Sequence, residues 1–308
     1  YSLTDSAIKV RILKDISILS SDSFIGREAG TIGEKYARKY IKTVFEEIGL
    51  KPINNNSYYQ IFYIGDKDIN NSNDSLYKIS DSAYNVIGFL NNNAEKTIVI
   101  GAHYDHLGKT KSYIYNGADD NASGTALIIE LARELSQIKN INCNFIFIAF
   151  SAEEKGLLGS YYFTQSDLFT KYKPYCYINF DMVGRTGILG KNKIVIMGIG
   201  SSNEWTKILK NIKPDGLRIK KFQAAPAFSD HQPFYEKQIP YVYFTTGLHP
   251  QYHTTQDDIE YINLNGIKKI IDYTLNLIRE TDKKTTMEFR KTSEFQIIRT
   301  IIFFMQMM

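Results

Sequence analysis

Histidines and carboxylates cluster in four short windows of this sequence, at spacings that suit metal binding and acid–base chemistry. The windows are His103-Tyr104-Asp105, Asp119-Asp120, Glu153-Glu154 with Asp181 beyond the next apolar run, and His253. Each follows a run that reads as a buried strand, or lies in the loop after one, and open parallel sheets present reactive side chains at those strand ends. All five histidines, His103, His106, His231, His249 and His253, fall in or near these loops. Several positions able to hold cations, beside a glutamate able to activate water, point to two-metal hydrolytic chemistry.

Residues i and i+2 of an extended segment point the same way, so Asp105 can sit behind His103, accept its second ring proton and fix which nitrogen faces a metal. The plain alternative is a histidine and an aspartate that merely end a strand. Asp119-Asp120 lies between Asn116-Gly117-Ala118 and Asn121-Ala122-Ser123-Gly124. Asn121 or Ser123 can cap the helix that follows, which accounts for one carboxylate as a partner of the helix dipole. Two adjacent carboxylates in a glycine-flanked loop also suit a group that bridges two cations, and composition alone does not say which one bridges. Glu153-Glu154 follows the apolar run 145–150 and Ser151. Neighbours alternate in direction at a strand end, so one glutamate can bind metal while the other acts as general base. Asp181 closes Tyr177-Ile178-Asn179-Phe180, where a lone carboxylate is costly unless paired or metal-bound. His253 completes the set from the far side. Mixed imidazole and carboxylate donors without thiolate suit zinc, with cobalt or manganese as chemical alternatives.

Other chemistries lack their motifs. No HExxH, GxSxG or P-loop occurs, and no GxGxxG opens a helix after a strand. The net charge of +4 over 308 residues is scattered, and no basic stripe argues for nucleic acid. Cys143 and Cys176 are the only cysteines and sit in strand-like runs, which predicts buried free thiols. No apolar stretch reaches the roughly 18 residues of a membrane-spanning helix. The chain begins at Tyr1, which fits a mature form freed from a signal peptide, so a secreted or periplasmic protein is expected.

The pattern that must position these residues alternates. Residues 1–23 read as an amphipathic helix with Ile8, Ile12, Ile16 and Leu19 on one face. Thr31 to Glu34 fits a capping box for a second helix that stops at Gly49. Strands are expected over 58–64 and 83–90, separated by the polar stretch 66–82, and again over 97–102, 145–150, 175–180, 193–197 and 241–244. Helices are expected over 123–135, around 160–169 and over 264–279. This predicts one α/β domain over 1–282, with a mixed, mostly parallel central sheet flanked by helices on both faces. The tail 283–308 has an apolar end over 297–308; packing on the body, self-association and disorder are all open to it.

The segments around these residues resemble the signatures of the M28 zinc metallopeptidases. The resemblance is carried by residues 98–106, 117–124, 150–154 and 179–184, by Ser229-Asp230-His231 and Tyr252-His253-Thr254, and by the early stretch from Gly26-Arg27 to Gly49-Leu50-Lys51-Pro52. It covers about residues 1–280 and implies a zinc-peptidase fold with two zinc ions. By position, His103, Asp119 and Asp181 are implied to hold one zinc, and Asp119, Glu154 and His253 the other, with Asp119 bridging. Glu153 is implied as general base on the water between the ions, and Asp105 as the residue that orients His103. The activity implied is that of an aminopeptidase acting on peptides with a free N-terminus. Two alternatives stand beside it: a glutaminyl cyclase-like transferase with a single zinc, and a non-catalytic binding protein on a peptidase scaffold. Some secreted relatives place a tyrosine just before the Ser-Asp-His segment; here stand Ala225-Pro226-Ala227-Phe228, so the resemblance assigns no oxyanion donor. Only a short polar loop parts the early strands, which leaves no room for the protease-associated insertion of some relatives. The pocket beside the metals is expected from loops such as 213–228.

Overall fold

The computed structural model describes residues 4–54, 56–65 and 80–305; most of the polar stretch 66–82 and the last three residues of the tail lie outside them. Short runs, rich in β-branched and aromatic residues in all but β7, form the strands β1 (Tyr59–Tyr63), β2 (Ser82–Leu90), β3 (Lys96–His103), β4 (Cys143–Phe150), β5 (Cys176–Phe180), β6 (Lys193–Met197), β7 (Arg218–Lys221) and β8 (Tyr241–Thr245). Among the described residues they make one sheet in the order β1-β2-β4-β3-β5-β8-β6-β7. The centre, β4-β3-β5-β8, is parallel throughout. β2 and β6 join it antiparallel on either side, and β1 pairs antiparallel with β2 as the early strand pair predicts. Every residue of β4, β5 and β8 is buried, as continuous apolar runs require when both faces of a sheet are covered.

The covering helices are α1 (Asp5–Leu19), α2 (Ile32–Ile48), α3 (Gly124–Gln137), α4 (Leu158–Gln165), α5 (Asp167–Tyr172), α6 (Asn203–Lys210), α7 (His231–Glu236), α8 (Leu264–Asp282) and α9 (Glu294–Met305). One layer is built from α1, α2, α3, α6 and α8, the other from α4, α5, α7 and α9. The fold is therefore the mixed, mostly parallel α/β architecture the alternation predicts. Among the described residues no helix is long and apolar enough to cross a membrane. Cys143 and Cys176 are buried free thiols.

At the start of α2, Thr31 Oγ1 accepts from the Glu34 N–H at 3.4 Å, and Gly49 ends the helix with φ 89°. The capping box is only half formed. The Glu34 carboxylate passes over the cap and accepts from Gly30 N–H at 3.0 Å, Tyr84 N–H at 2.9 Å, Tyr104 O–H at 3.0 Å and Ser151 O–H at 2.9 Å. One buried glutamate thus ties α2 to β2 and to the site-bearing ends of β3 and β4.

The helical stretch expected around 160–169 divides at Ser166 into α4 and α5. The short elements β7 and α7 carry no clear period, whereas the equally short α6, not expected from the sequence, buries Trp205, Ile208 and Leu209 on one face. β7, Arg-Ile-Lys-Lys, lies at the sheet edge with its side chains largely exposed. The tail packs on the body: Phe304 is buried, and Thr300 Oγ1 donates to the Ala224 carbonyl at 2.9 Å.

Candidate metal centre

Because β4, β3, β5 and β8 run parallel and adjacent, the segments that leave their C-terminal ends open on one edge of the sheet. His103 is the last residue of β3, Glu153 and Glu154 follow β4, Asp181 follows β5, and His249 and His253 lie after β8. Asp119 and Asp120 come from the turn Ala118–Ser123 that leads into α3.

Two donor sets meet on Asp120. His103 Nε2 lies 3.4 Å from Asp120 Oδ1 and 3.5 Å from Asp181 Oδ1. On the other side, His253 Nε2 lies 3.1 Å from Asp120 Oδ2 and 3.3 Å from Glu154 Oε2. His106 Nδ1 is 2.9 Å from Glu154 Oε1 and 3.7 Å from Asp120 Oδ2. Donors bound about 2.0–2.2 Å from a tetrahedral zinc ion stand roughly 3.3–3.6 Å apart. The separations here bracket that spacing, and the groups are the carboxylate oxygens and imidazole nitrogens that zinc accepts. The residues present fit a pair of such ions.

The geometry corrects one expectation. Asp119, expected to bridge, is turned away from the donors: its Oδ1 accepts from Gly184 N–H at 2.6 Å and Ser123 O–H at 3.0 Å, and its Oδ2 lies 3.3 Å from His249 Nε2. Asp120 takes the shared position. The two neighbours point to opposite sides of the turn, so only one can face the strand ends. Asp105 faces His103 chiefly through its backbone carbonyl. His103 Nδ1 lies 3.2 Å from its backbone carbonyl and 3.7 Å from its Oδ1. Its carboxylate instead accepts the N–H of Glu153 at 3.2 Å and of Glu154 at 3.4 Å, so it orients both glutamates.

Three further residues escape sequence reasoning. His106 was visible as a histidine near the site, but nothing in its spacing marks it as a donor. Asp257 accepts the N–H of Asp120 at 2.9 Å and of Asp119 at 3.1 Å, which fixes the turn. Its only signal is its place four residues after His253. Arg27, fully buried, donates to the carbonyls of Tyr104, Leu19, Asn116 and Gly117 at 2.5–3.0 Å and clamps the same turn from below.

Crowding dominates the electrostatics. Burial, reinforced by Asp181, Asp230 and Glu154, pushes the Glu153 carboxyl well above its ordinary value despite His103. Burial also raises Asp105 to about 8 and Asp257 to about 6. Asp120 is held well below the usual carboxylate range: hydrogen bonds from His103 and His253 and the nearby His106 outweigh the cost of burial. His103 is raised although burial opposes it, because Glu153, Asp120 and Asp181 surround it. So many acidic groups at one point favour bound cations.

His103, Asp120, Glu154, Asp181 and His253 line a cavity of about 370 Å³ whose other walls are mostly apolar. Tyr243 lies in it with its hydroxyl 3.4 Å from Asp181 Oδ2. Of the segment 213–228, Phe228 reaches the cavity; α9 contributes Ile301, Phe304 and Met305.

A cluster of imidazoles and carboxylates sharing one aspartate thus stands at the C-terminal edge of a mixed α/β sheet, a donor set suited to metal ions. The sequence model described as peptidase family M28 matches residues 85–278, and the chain belongs to that family. Aminopeptidase YwaD of Bacillus subtilis (strain 168) is 32% identical over 199 residues, covering 61% of this chain and 41% of that protein. The chain spans about half the length, or less, of the first curated relatives it matches. Among solved structures, the zinc aminopeptidase BSAP from Bacillus subtilis superposes with a TM-score of 0.72 at 20% identity, over 92% of this chain and 98% of that one. The glutaminyl cyclase of Porphyromonas gingivalis has a TM-score of 0.69 at 18% identity, over 90% and 98% of the two chains. At these identities the likeness is one of fold.

Proposed function

We propose that this chain is an aminopeptidase with two zinc ions that removes N-terminal residues from peptides. The observation that carries the reading is Asp120, whose two oxygens face two different donor sets. His103, Asp120 and Asp181 would hold one ion; Asp120, Glu154 and His253, with His106 beside them, would hold the other. Bound there, the ions supply polarisation of the scissile carbonyl and a lowered pKa for water. Glu153, on the wall of the same cavity, takes the proton of the attacking water and passes it to the leaving amine. Asp105 holds the backbone of Glu153 in place for that transfer. The cavity is at the small end of the range for ligand pockets, about 300–1,000 Å³, which suits one end of a peptide rather than its middle.

The test is hydrolysis of one peptide with a free and with an acetylated N-terminus, each with and without a chelator. Cleavage of the free form alone, abolished by the chelator, is expected. Cleavage of both forms would discard the N-terminal specificity. Failure to cleave either, with one zinc per chain and cyclisation of N-terminal glutamine, would replace this reading with the cyclase-like one; failure of both reactions would leave a binding protein.

A further inference from the structure

The tail matches none of the family signatures in the sequence, yet it reaches the candidate site. The segment leading to α9 is fixed on the body, where Arg290 N–H donates to the Ser201 carbonyl at 2.8 Å and Thr292 N–H to Tyr235 Oη at 3.1 Å. Within α9, Thr300 and Phe304 are buried and Ile301 half-buried, at the i, i+1 and i+4 positions of one face. Thr300 Oγ1 donates at 2.9 Å to the Ala224 carbonyl, outside its own helix, and Phe303 packs on Phe222 with ring centroids 5.0 Å apart. The helix is therefore held in one register, which puts Ile301, Phe304 and Met305 on the same cavity that His103, Asp120 and Glu153 line.

We propose that α9 is the specificity wall of this site, with Ile301 and Phe304 limiting how long an apolar N-terminal side chain the cavity accepts. The inference rests on the aminopeptidase reading. A substrate whose scissile carbonyl lies at the donors and whose first side chain enters the cavity meets α9. No charged group of α9 reaches the cavity, so a charged substrate side chain would meet apolar atoms there and lose hydration without a partner.

The experiment compares kcat/KM for alanine, leucine, phenylalanine and lysine anilides in the full chain, Ile301→Trp and Phe304→Ala. Ile301→Trp adds volume and should lower phenylalanine relative to alanine by roughly tenfold or more. Phe304→Ala removes volume and should raise the same ratio several-fold. The two changes act in opposite directions on one pocket, so a common loss of stability cannot imitate both, and the ratio is independent of the fraction of folded enzyme. Lysine should remain the poorest substrate of the parent chain. Ratios unchanged in both variants, or lysine preferred, would overturn the role of α9 while leaving the aminopeptidase reading intact. A parent chain that hydrolyses none of the four would remove that reading, and this inference with it.

Discussion

Asp119 and Asp120 are chemically identical neighbours whose surroundings give them different work. Asp119 Oδ1 is held by Gly184 N–H and Ser123 O–H and its Oδ2 faces His249, whereas Asp120 stands between His103 and His253. Asp120→Asn should therefore reduce bound zinc from two ions to one or none, measured by atomic absorption after dialysis. Asp119→Asn should bind two ions but unfold more easily; the reverse pattern would show that the turn inverts when loaded. Glu153 is not in either donor set, so Glu153→Ala should keep both metals and lower kcat by roughly 10²–10⁴-fold. Full activity in that variant would remove Glu153 as the base. That His103, Glu154, Asp181 and His253 gather at one edge of the sheet was legible because each ends or follows an apolar run. That Asp120 rather than Asp119 faces both donor sets was not, because sequence gives the adjacency of two carboxylates but not the direction in which the turn aims each one. His106 and Asp257 were illegible for a related reason: their partners are distant in sequence and set by packing.

The strands and long helices were legible wherever burial imposed a period. β3, β4, β5 and β8 are mostly apolar because helices cover both faces, and α2 and α8 each carry an apolar stripe. β7 hides among lysines because an edge strand needs no buried face. The turns proved harder still, since their conformation is fixed by side chains from elsewhere. Arg27 is the clearest case: it closes a segment in which Ile25 and Arg27 both have positive φ, and it serves four carbonyls. Removing a buried donor leaves each acceptor desolvated at about 1–3 kcal/mol. Arg27→Met should thus lower unfolding free energy by at least roughly 3 kcal/mol in urea titration, with Arg27→Lys recovering only part of it. A loss below 1 kcal/mol would mean that water replaces the guanidinium. Asp257→Asn tests the same turn from above. It should weaken zinc about 10–100-fold, as loss of an outer partner of a ligand does, and a chelator competition titration reads that change directly.

The two helix layers hold the sheet by different means. On the side of α8 the core is largely aliphatic, while the side of α7 is built of rings, with Tyr177 stacked on Phe234 at 3.8 Å between centroids. His231, at the start of α7, lies within 4.9 Å of both the Tyr241 and the Tyr243 rings of β8. It is fully buried, and burial lowers its pKa to about 3. In the unfolded chain the same imidazole titrates near 6.5. Below that pH the unfolded state takes up a proton that the native state refuses, so stability present above pH 6.5 is lost as pH falls toward 3. The slope is about 1.4 kcal/mol per pH unit, or roughly 2 kcal/mol between pH 7 and pH 5. His231→Phe keeps a ring in the stack and removes the titration. Urea unfolding at pH 7, 6 and 5 should therefore show the parent chain losing about 2 kcal/mol more than the variant over that range. Parallel losses would mean that the native imidazole takes up its proton near the ordinary value, and that the packing of α7 on β8 is open enough to admit it.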